Sequence, residues 1–436
     1  MKRKRKLIVF VLMVNLIFSS CNRDEPNDGD SILTSTITTI DPNIGPKETI
    51  VTITGENFGT NSAVVSVFFN GKEATVITVS DTEITAKVPA LAYTGLVKVL
   101  INEEELIGPK FTYTISAINS SILAGNGSTG SVNGVGTTAS FSAPIGLAVD
   151  SQNNIFVTDT NNHLIRKITP NGMVTTFAGS VQGYADGTGI TAKFSYPYGI
   201  TIDSEDNLYV TDPNNYKIRK ITSAGVVSTI AGSSQGYTDG VGTLAKFHSP
   251  AGITIDSNNI LYVADQKNNR IRKITPNGEV STYSGSTQGY VDGARASAKY
   301  YWPAGITIDS EDNLFIADSY NNKIRKIDTN GNVSTLAGTT LGFDNGAGTL
   351  AKFHYPLGIC VDAQNNIYTA DYGNDKIRKI DENNEVSTLA GSSRGYLEGI
   401  GSTARYNRPF GITVDSNGTI FVADTFNNRV RKITQE

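Results

Sequence analysis

Beyond residue 140 the chain repeats one pattern of apolar and polar positions six times, at a fixed period of 53 residues. The second copy reads Gly199–Asp203, Leu208–Asp212, Lys217–Ile221 and Val226–Ala231, four short runs rich in Ile, Val, Leu and Tyr. Short runs of this kind, closed off by Ser, Asn and Gly, predict strands rather than helices. Pro-Asn-Gly at 170–172 and 276–278 marks tight turns between them. A proline opens every copy, at Pro144, Pro197, Pro250, Pro303, Pro356 and Pro409, followed each time by x-Gly-Ile or x-Gly-Leu. Six units of four strands predict a six-bladed β-propeller over 120–436. The sixth copy stops at Glu436 after its third strand, and the missing fourth appears at the start as Ser121-Ile-Leu-Ala-Gly125. The strand at about 120–125 is therefore expected to complete the last blade and leave no open sheet edge.

Residues 33–115 carry no copy of the repeat. The β-branched runs Ile50–Ile53, Val64–Phe69, Ile84–Val88 and Leu96–Ile101, separated by Gly, Asn and Pro, predict an antiparallel β-sandwich. The fold class expected is thus all-β, an immunoglobulin-like sandwich followed by a propeller. The elements Pro409-Phe-Gly-Ile-Thr-Val-Asp415 and Val422-Ala-Asp-Thr-Phe-Asn-Asn-Arg-Val-Arg-Lys432 resemble the NHL repeat family, and all six copies share the wording. Pro42-Asn-Ile-Gly-Pro46, Val51-Thr-Ile-Thr-Gly-Glu-Asn-Phe-Gly59 and Phe69-Asn-Gly71 resemble an IPT/TIG domain, a module that usually spaces or mediates contacts. The NHL resemblance speaks to fold, because that fold hosts binding modules, scaffolds and a few enzymes.

The N-terminal pattern is of another kind. Five basic residues, Lys2 to Lys6, precede an apolar run from Leu7 to Phe18, too short to span a bilayer comfortably and suited to an export signal over 1–20. Ser19-Ser20-Cys21 resembles a bacterial lipoprotein cleavage site, with Phe18 departing from the usual Leu, and implies lipidation at Cys21. The acidic tether 21–32 resembles signals that send Bacteroidetes-type lipoproteins to the outer membrane, facing the exterior. The membrane would then be touched only through the lipid anchor. Cys360, the second of two cysteines, falls in a strand slot and reads as a small buried residue.

Removing 1–20 leaves 32 Lys and Arg against 41 Asp and Glu. With the repeated Arg-Lys pairs spread evenly over the copies, the sequence offers no footprint for nucleic acid.

Each copy carries Asp, then Asn three residues later and Arg seven later, as in Asp212, Asn215 and Arg219. Sixfold identity assigns this trio to architecture, as it does the turn aspartates Asp150 to Asp415. Recurring aromatics in the long links between blades, such as Tyr184 and Phe194, are expected to pack those links down. The positions flanking the prolines differ between copies and should ring one mouth of the channel. They supply the candidate ligand-binding residues Tyr196, Tyr198, His248, Tyr301, Trp302, His354, Tyr355, Asn407 and Arg408, including the only tryptophan. Flat rings with interspersed hydrogen-bonding groups suit sugars; the alternative is a ring that caps the channel and binds nothing. Of three histidines, His163 falls in an outer loop, while His248 and His354 occupy equivalent slots of the third and fifth blades. No metal set, nucleophile–base pair or cofactor motif is complete, and no catalytic residue is assigned. The expected role is a cell-surface module binding a glycan or another extracellular macromolecule. The alternatives are a protein–protein scaffold in the envelope and, third, a metal-dependent propeller lyase or lactonase.

Overall fold

The computed structural model describes residues 34–436, so the export signal, Cys21 and the acidic tether lie outside the described residues. Two β units follow one another. In the first, eight strands pair in the order Thr36–Asp41, Ile50–Glu56, Glu83–Lys87, Lys72–Val79, Val65–Phe69, Gly95–Ile101, Glu104–Tyr113, Ile44–Gly45. Alternate residues of Val65–Phe69 and Gly95–Ile101 point inward, so one face of each strand builds a core around Val51, Ile53, Phe69, Ile84, Val97 and Phe111. The edge strand at 36–41 and those at 72–79 and 104–113 are additions to the sequence reading. Their polar, mostly exposed residues hide the alternation.

The second unit is a ring of six blades closed as expected. Ile118–Ala124 runs antiparallel to Arg429–Gln435, with Ala124 opposite Val430 and Ile118 opposite Gln435. Each blade holds five strands instead of four. The fifth is a Gly-containing pair from the incoming link, such as Gly187–Thr188 laid against Val226–Val227. A dipeptide has no hydrophobic period, and only its partner makes it a strand. The device covers each outer edge with two residues. Blades adhere through apolar clusters shared between neighbours, as where Tyr209 and Ile218 of the second blade meet Ile253 and Leu261 of the third.

Strand direction defines two faces. The prolines and the turns joining second to third strands (160–163, 213–216 and equivalents) share the upper face. The turns joining first to second and third to fourth strands share the lower one. On the lower face Asp150 accepts the Gln152 and Asn154 N–H groups at 2.9 and 2.7 Å, a self-contained turn repeated round the ring. The sandwich abuts this face at the fifth and sixth blades. Lys47 pairs with Glu436 at 3.1 Å, and Leu91 and Tyr93 lie against Gly418. Burial, helped by Asp362, pushes the Tyr93 hydroxyl up to about 12. The upper face is thereby left uncovered by the rest of the described chain. Among the described residues no helix is long and apolar enough to cross a membrane.

Candidate functional site

The invariant trio is the frame on which the upper face hangs. In the fourth blade Asp318 and Arg325 are fully buried and paired at 2.7 Å. The other carboxylate oxygen accepts the Tyr301 N–H at 2.7 Å, and Asn321 donates to the Asp318 carboxylate at 2.8 Å. Arg325 also donates to the Lys299 and Val291 carbonyls and to Asp292. Its guanidinium lies between the Tyr290 and Tyr300 rings, 4.9 and 5.2 Å from their centroids. The recurring link aromatics therefore sandwich the buried arginine, which is how they hold the link down. In every blade the Asp fixes the first residue of the variable pair by its backbone.

The second residue of that pair has positive φ in all six blades, between 50° and 58° from Ala143 to Arg408. None is glycine, so each position carries backbone strain of about 1–2 kcal/mol. A clasp from the preceding blade offsets it. The residue ending the preceding turn, itself left-handed, accepts that N–H: Asn269 from Trp302 and Asn322 from Tyr355 at 3.0 Å, Asp375 from Arg408 at 2.8 Å, Asn428 from Ala143 at 3.0 Å. At the first joint His163 does the same through Nδ1, 3.1 Å from the Tyr196 nitrogen. His163 is thus on the upper face against Tyr196, their centroids 4.6 Å apart, and not in an outer loop. The spacing placed it after a strand but could not tell which end of the blade the turn occupies. Tyr216 fills the same slot in the second blade and offers no such acceptor. Its hydroxyl reaches Gln235 at 3.5 Å, and the Ser249 N–H has no protein acceptor among the described residues.

The candidate residues do not form one ring. Tyr198 and Phe410 meet edge to face at 5.1 Å over the channel, whose upper part is an apolar cavity of about 80 Å³ lined by Ile145, Ala304, Leu357 and their neighbours. Burial raises the Tyr198 hydroxyl well above the usual tyrosine range. This tyrosine is a plug. Tyr301, Trp302, His354 and Tyr355 instead gather around Tyr320. Tyr320 stands 4.9 Å from Tyr301, 4.8 Å from Trp302 and 4.9 Å from Tyr355, and Tyr355 is 4.9 Å from His354. Gly373 lies against the His354 ring, where a β-carbon would collide with it. Beyond it Arg408 stacks over Tyr372 and Phe426, at 5.5 and 5.1 Å. Asn407 is anchored by its backbone to Asp424. His248 borders this arc in the third blade. Burial, with Lys267 beside it, holds its imidazole below the usual histidine range. Tyr196 stands apart with His163.

Tyr320, Tyr372 and Phe426 were not among the residues expected from sequence. The two positions after each invariant Asp vary between copies as freely as those before the proline. They run Thr160-Asn161, Pro213-Asn214, Gln266-Lys267, Ser319-Tyr320, Tyr372-Gly373 and Thr425-Phe426. That variation inside an invariant frame was the available signal.

Charge is also sorted by face, not spread evenly. Lys217, Arg270, Lys323, Lys376 and Arg429 head the third strands on the upper side, and Lys267, Arg394 and Arg408 lie in a turn, at a link start and at a link end there. Among those segments the one acid outside the buried frame is Asp375, bound to Arg394 at 3.1 Å. The lower turns carry Glu205, Asp206, Glu311 and Asp312 beside the repeated aspartates and hold no Lys or Arg themselves, the cations near them being third-strand lysines such as Lys167, 3.9 Å from Asp150.

Some propeller enzymes hold a divalent ion in the channel. Here the upper channel presents apolar side chains and glycine, and no three His, Cys, Asp or Glu side chains converge among the described residues. The donor set does not fit such an ion.

Comparison with known proteins agrees with this architecture. The IPT/TIG domain model matches residues 35–115 and the NHL repeat model 141–168. The chain is 29% identical over 320 residues to protein SUPPRESSOR OF QUENCHING 1, chloroplastic, of Arabidopsis thaliana, covering 66% of this chain and 30% of that protein. It is 29% identical over 326 residues to NHL repeat-containing protein 2 of Homo sapiens, covering 65% and 45%. The chain thus spans less than half the length of these curated relatives. A structural genomics protein of unknown function from Bacteroides thetaiotaomicron shares the fold at a TM-score of 0.70 and 21% identity, over 93% of this chain and 99% of that one. An auxiliary nutrient binding protein from the same organism does so at 0.57 and 20%, over 92% and 98%. The model of the virginiamycin B lyase family matches residues 178–432, more than half of the chain, and the protein belongs to that family.

Proposed function

We propose that this protein is a cell-surface lipoprotein that binds a glycan, or another extracellular macromolecule, on the upper face of its propeller across blades three to six. The observation that carries the reading is the arc of rings centred on Tyr320, which joins Trp302 to Tyr355 and is continued by Tyr372, Arg408 and Phe426. Partly exposed rings, with Trp302 and Tyr355 on strained but clasped backbone and Tyr320 packed between them, form a rigid stacking surface. The sandwich sits on the opposite face, so a chain tethered through its N-terminus would present the arc away from the membrane. Propellers of this fold include auxiliary nutrient binding proteins, in keeping with a binding role.

Family membership raises a lyase reaction as the competing reading. The upper channel is lined by apolar side chains and plugged by Tyr198, and it offers neither a converging donor set nor an acid–base pair. Screening the purified protein on a glycan array tests the proposal. A reproducible hit is expected; turnover of a streptogramin-type cyclic depsipeptide with no glycan retained would overturn it.

A further inference from the structure

The propeller mouth is polarised in charge as well as in chemistry, and this bears on what the arc would accept. Its two ends are cationic. At the third-blade end Lys267 is exposed on the turn whose backbone N–H donates to the His248 carbonyl at 3.1 Å. The unclasped Ser249 N–H follows directly, adding an unused donor to the same corner. At the sixth-blade end the Arg408 guanidinium lies over the Tyr372 and Phe426 rings, 5.5 and 5.1 Å from their centroids, with its backbone N–H tied to Asp375. Between these ends run Trp302, Tyr320 and Tyr355. Outside the buried Asp–Arg frame, the acid beside the arc is Asp375, which is buried and already paired with Arg394. On the first two blades the corresponding turns hold only Thr, Asn, His, Pro and Tyr. The cation–aromatic–cation order therefore belongs to one side of the ring.

We infer that the ligand of this arc is an acidic polysaccharide, its sugar faces stacked on the rings and its carboxylates or sulfates met at Lys267 and Arg408. The inference rests on the binding reading above and narrows it. Aromatic rings alone accept neutral and charged sugars alike. Two cations with no free acid between them favour anionic chains and disfavour none by shape, so charge is the discriminating property. Single-stranded RNA also combines anionic charge with flat groups. The arc, however, interrupts its cations with a run of rings and lacks the continuous basic groove that tracks a phosphodiester backbone.

The test is affinity electrophoresis and calorimetric titration of the whole protein against polygalacturonate, alginate and chondroitin sulfate. The methyl-esterified or desulfated forms of each, and poly(U), serve as comparisons. At least one acidic polymer should bind at least tenfold more tightly than its neutralised form. Lys267→Gln with Arg408→Gln should remove most of that preference, while Glu311→Gln on the lower face leaves it unchanged. Equal, Trp302-dependent binding of the neutralised polymers would overturn the inference yet keep the glycan reading. Binding of poly(U) in preference to every polysaccharide, or of no polymer at all, would overturn both.

Discussion

Replacing Arg325 by Met asks whether the repeated trio holds the site as well as the fold. The guanidinium is fully buried, pairs with Asp318 at 2.7 Å, donates to two carbonyls and to Asp292, and lies between two tyrosine rings. Methionine keeps much of the volume and removes every donor. Asp318 would then keep only Asn321 and the Tyr301 N–H as donors to a fully buried carboxylate. Breaking a buried pair on one side costs about 3–5 kcal/mol. The loss should appear as a lowered urea midpoint, followed by fluorescence of Trp302, the only tryptophan and a member of the same blade. Its pH dependence has a definite sign. Burial outweighs the pull of Arg325 and sets Asp318 at about 6 in the wild-type protein. A carboxyl raised by folding contributes stability fully below its unfolded value, and that contribution fades as pH rises through the folded value. Without Arg325 the folded value climbs further, so the deficit should be smaller at pH 5 than at pH 8. A change below about 1 kcal/mol at pH 8, or a deficit that grows on acidification, would refute the assignment of this pair to the frame.

Three further expectations concern the joints of the ring. Asn269→Ala removes the clasp on Trp302 from a left-handed position and should cost about 2 kcal/mol, whereas Tyr216→Asn supplies the missing acceptor for Ser249 and should gain about 1 kcal/mol; chemical denaturation of both variants checks the pair. Deleting 118–124 removes the strand opposite Arg429–Gln435 and should lower the propeller's melting temperature by about 10 °C or more, while unchanged melting would contradict closure. Burial depresses the His163 imidazole, whose Nδ1 accepts the Tyr196 N–H. A depressed group stabilises fully above its unfolded value and loses that contribution as pH falls through the folded one. Amide exchange at Tyr196, corrected for intrinsic rate, should therefore accelerate from pH 7.5 to pH 5 in the wild type and not in His163→Asn.

The period of 53 made the ring, its closure and the architectural role of Asp, Asn and Arg legible, because each of those features repeats. What escaped does not repeat as a pattern of hydrophobicity. The fifth strand is two residues whose identity as a strand exists only against Val226 or its equivalents. Tyr320 and Tyr372 lie within a loop in which Asp and Asn are constant and the residues between them follow no pattern from copy to copy. Tyr198 and Trp302 both flank a proline in the sequence. The side chain after the proline enters the channel, whereas the one before it, on left-handed backbone, stands on the rim. Charge totals could not reveal the polarity of the faces, which depends on knowing that the turns after first and second strands lie on opposite sides.

A ligand surface across blades three to six and a cap over the channel differ in what the rings do for affinity. Titrating whichever glycan the array identifies against wild type, Trp302→Ala and Tyr320→Ala, with melting curves of all three, tests that difference most directly. Both variants should lose affinity at least tenfold while melting within a few degrees of wild type, since both rings are partly exposed on the rim. Unaltered affinity in the two variants, or a loss that merely tracks unfolding, would contradict a ligand surface there.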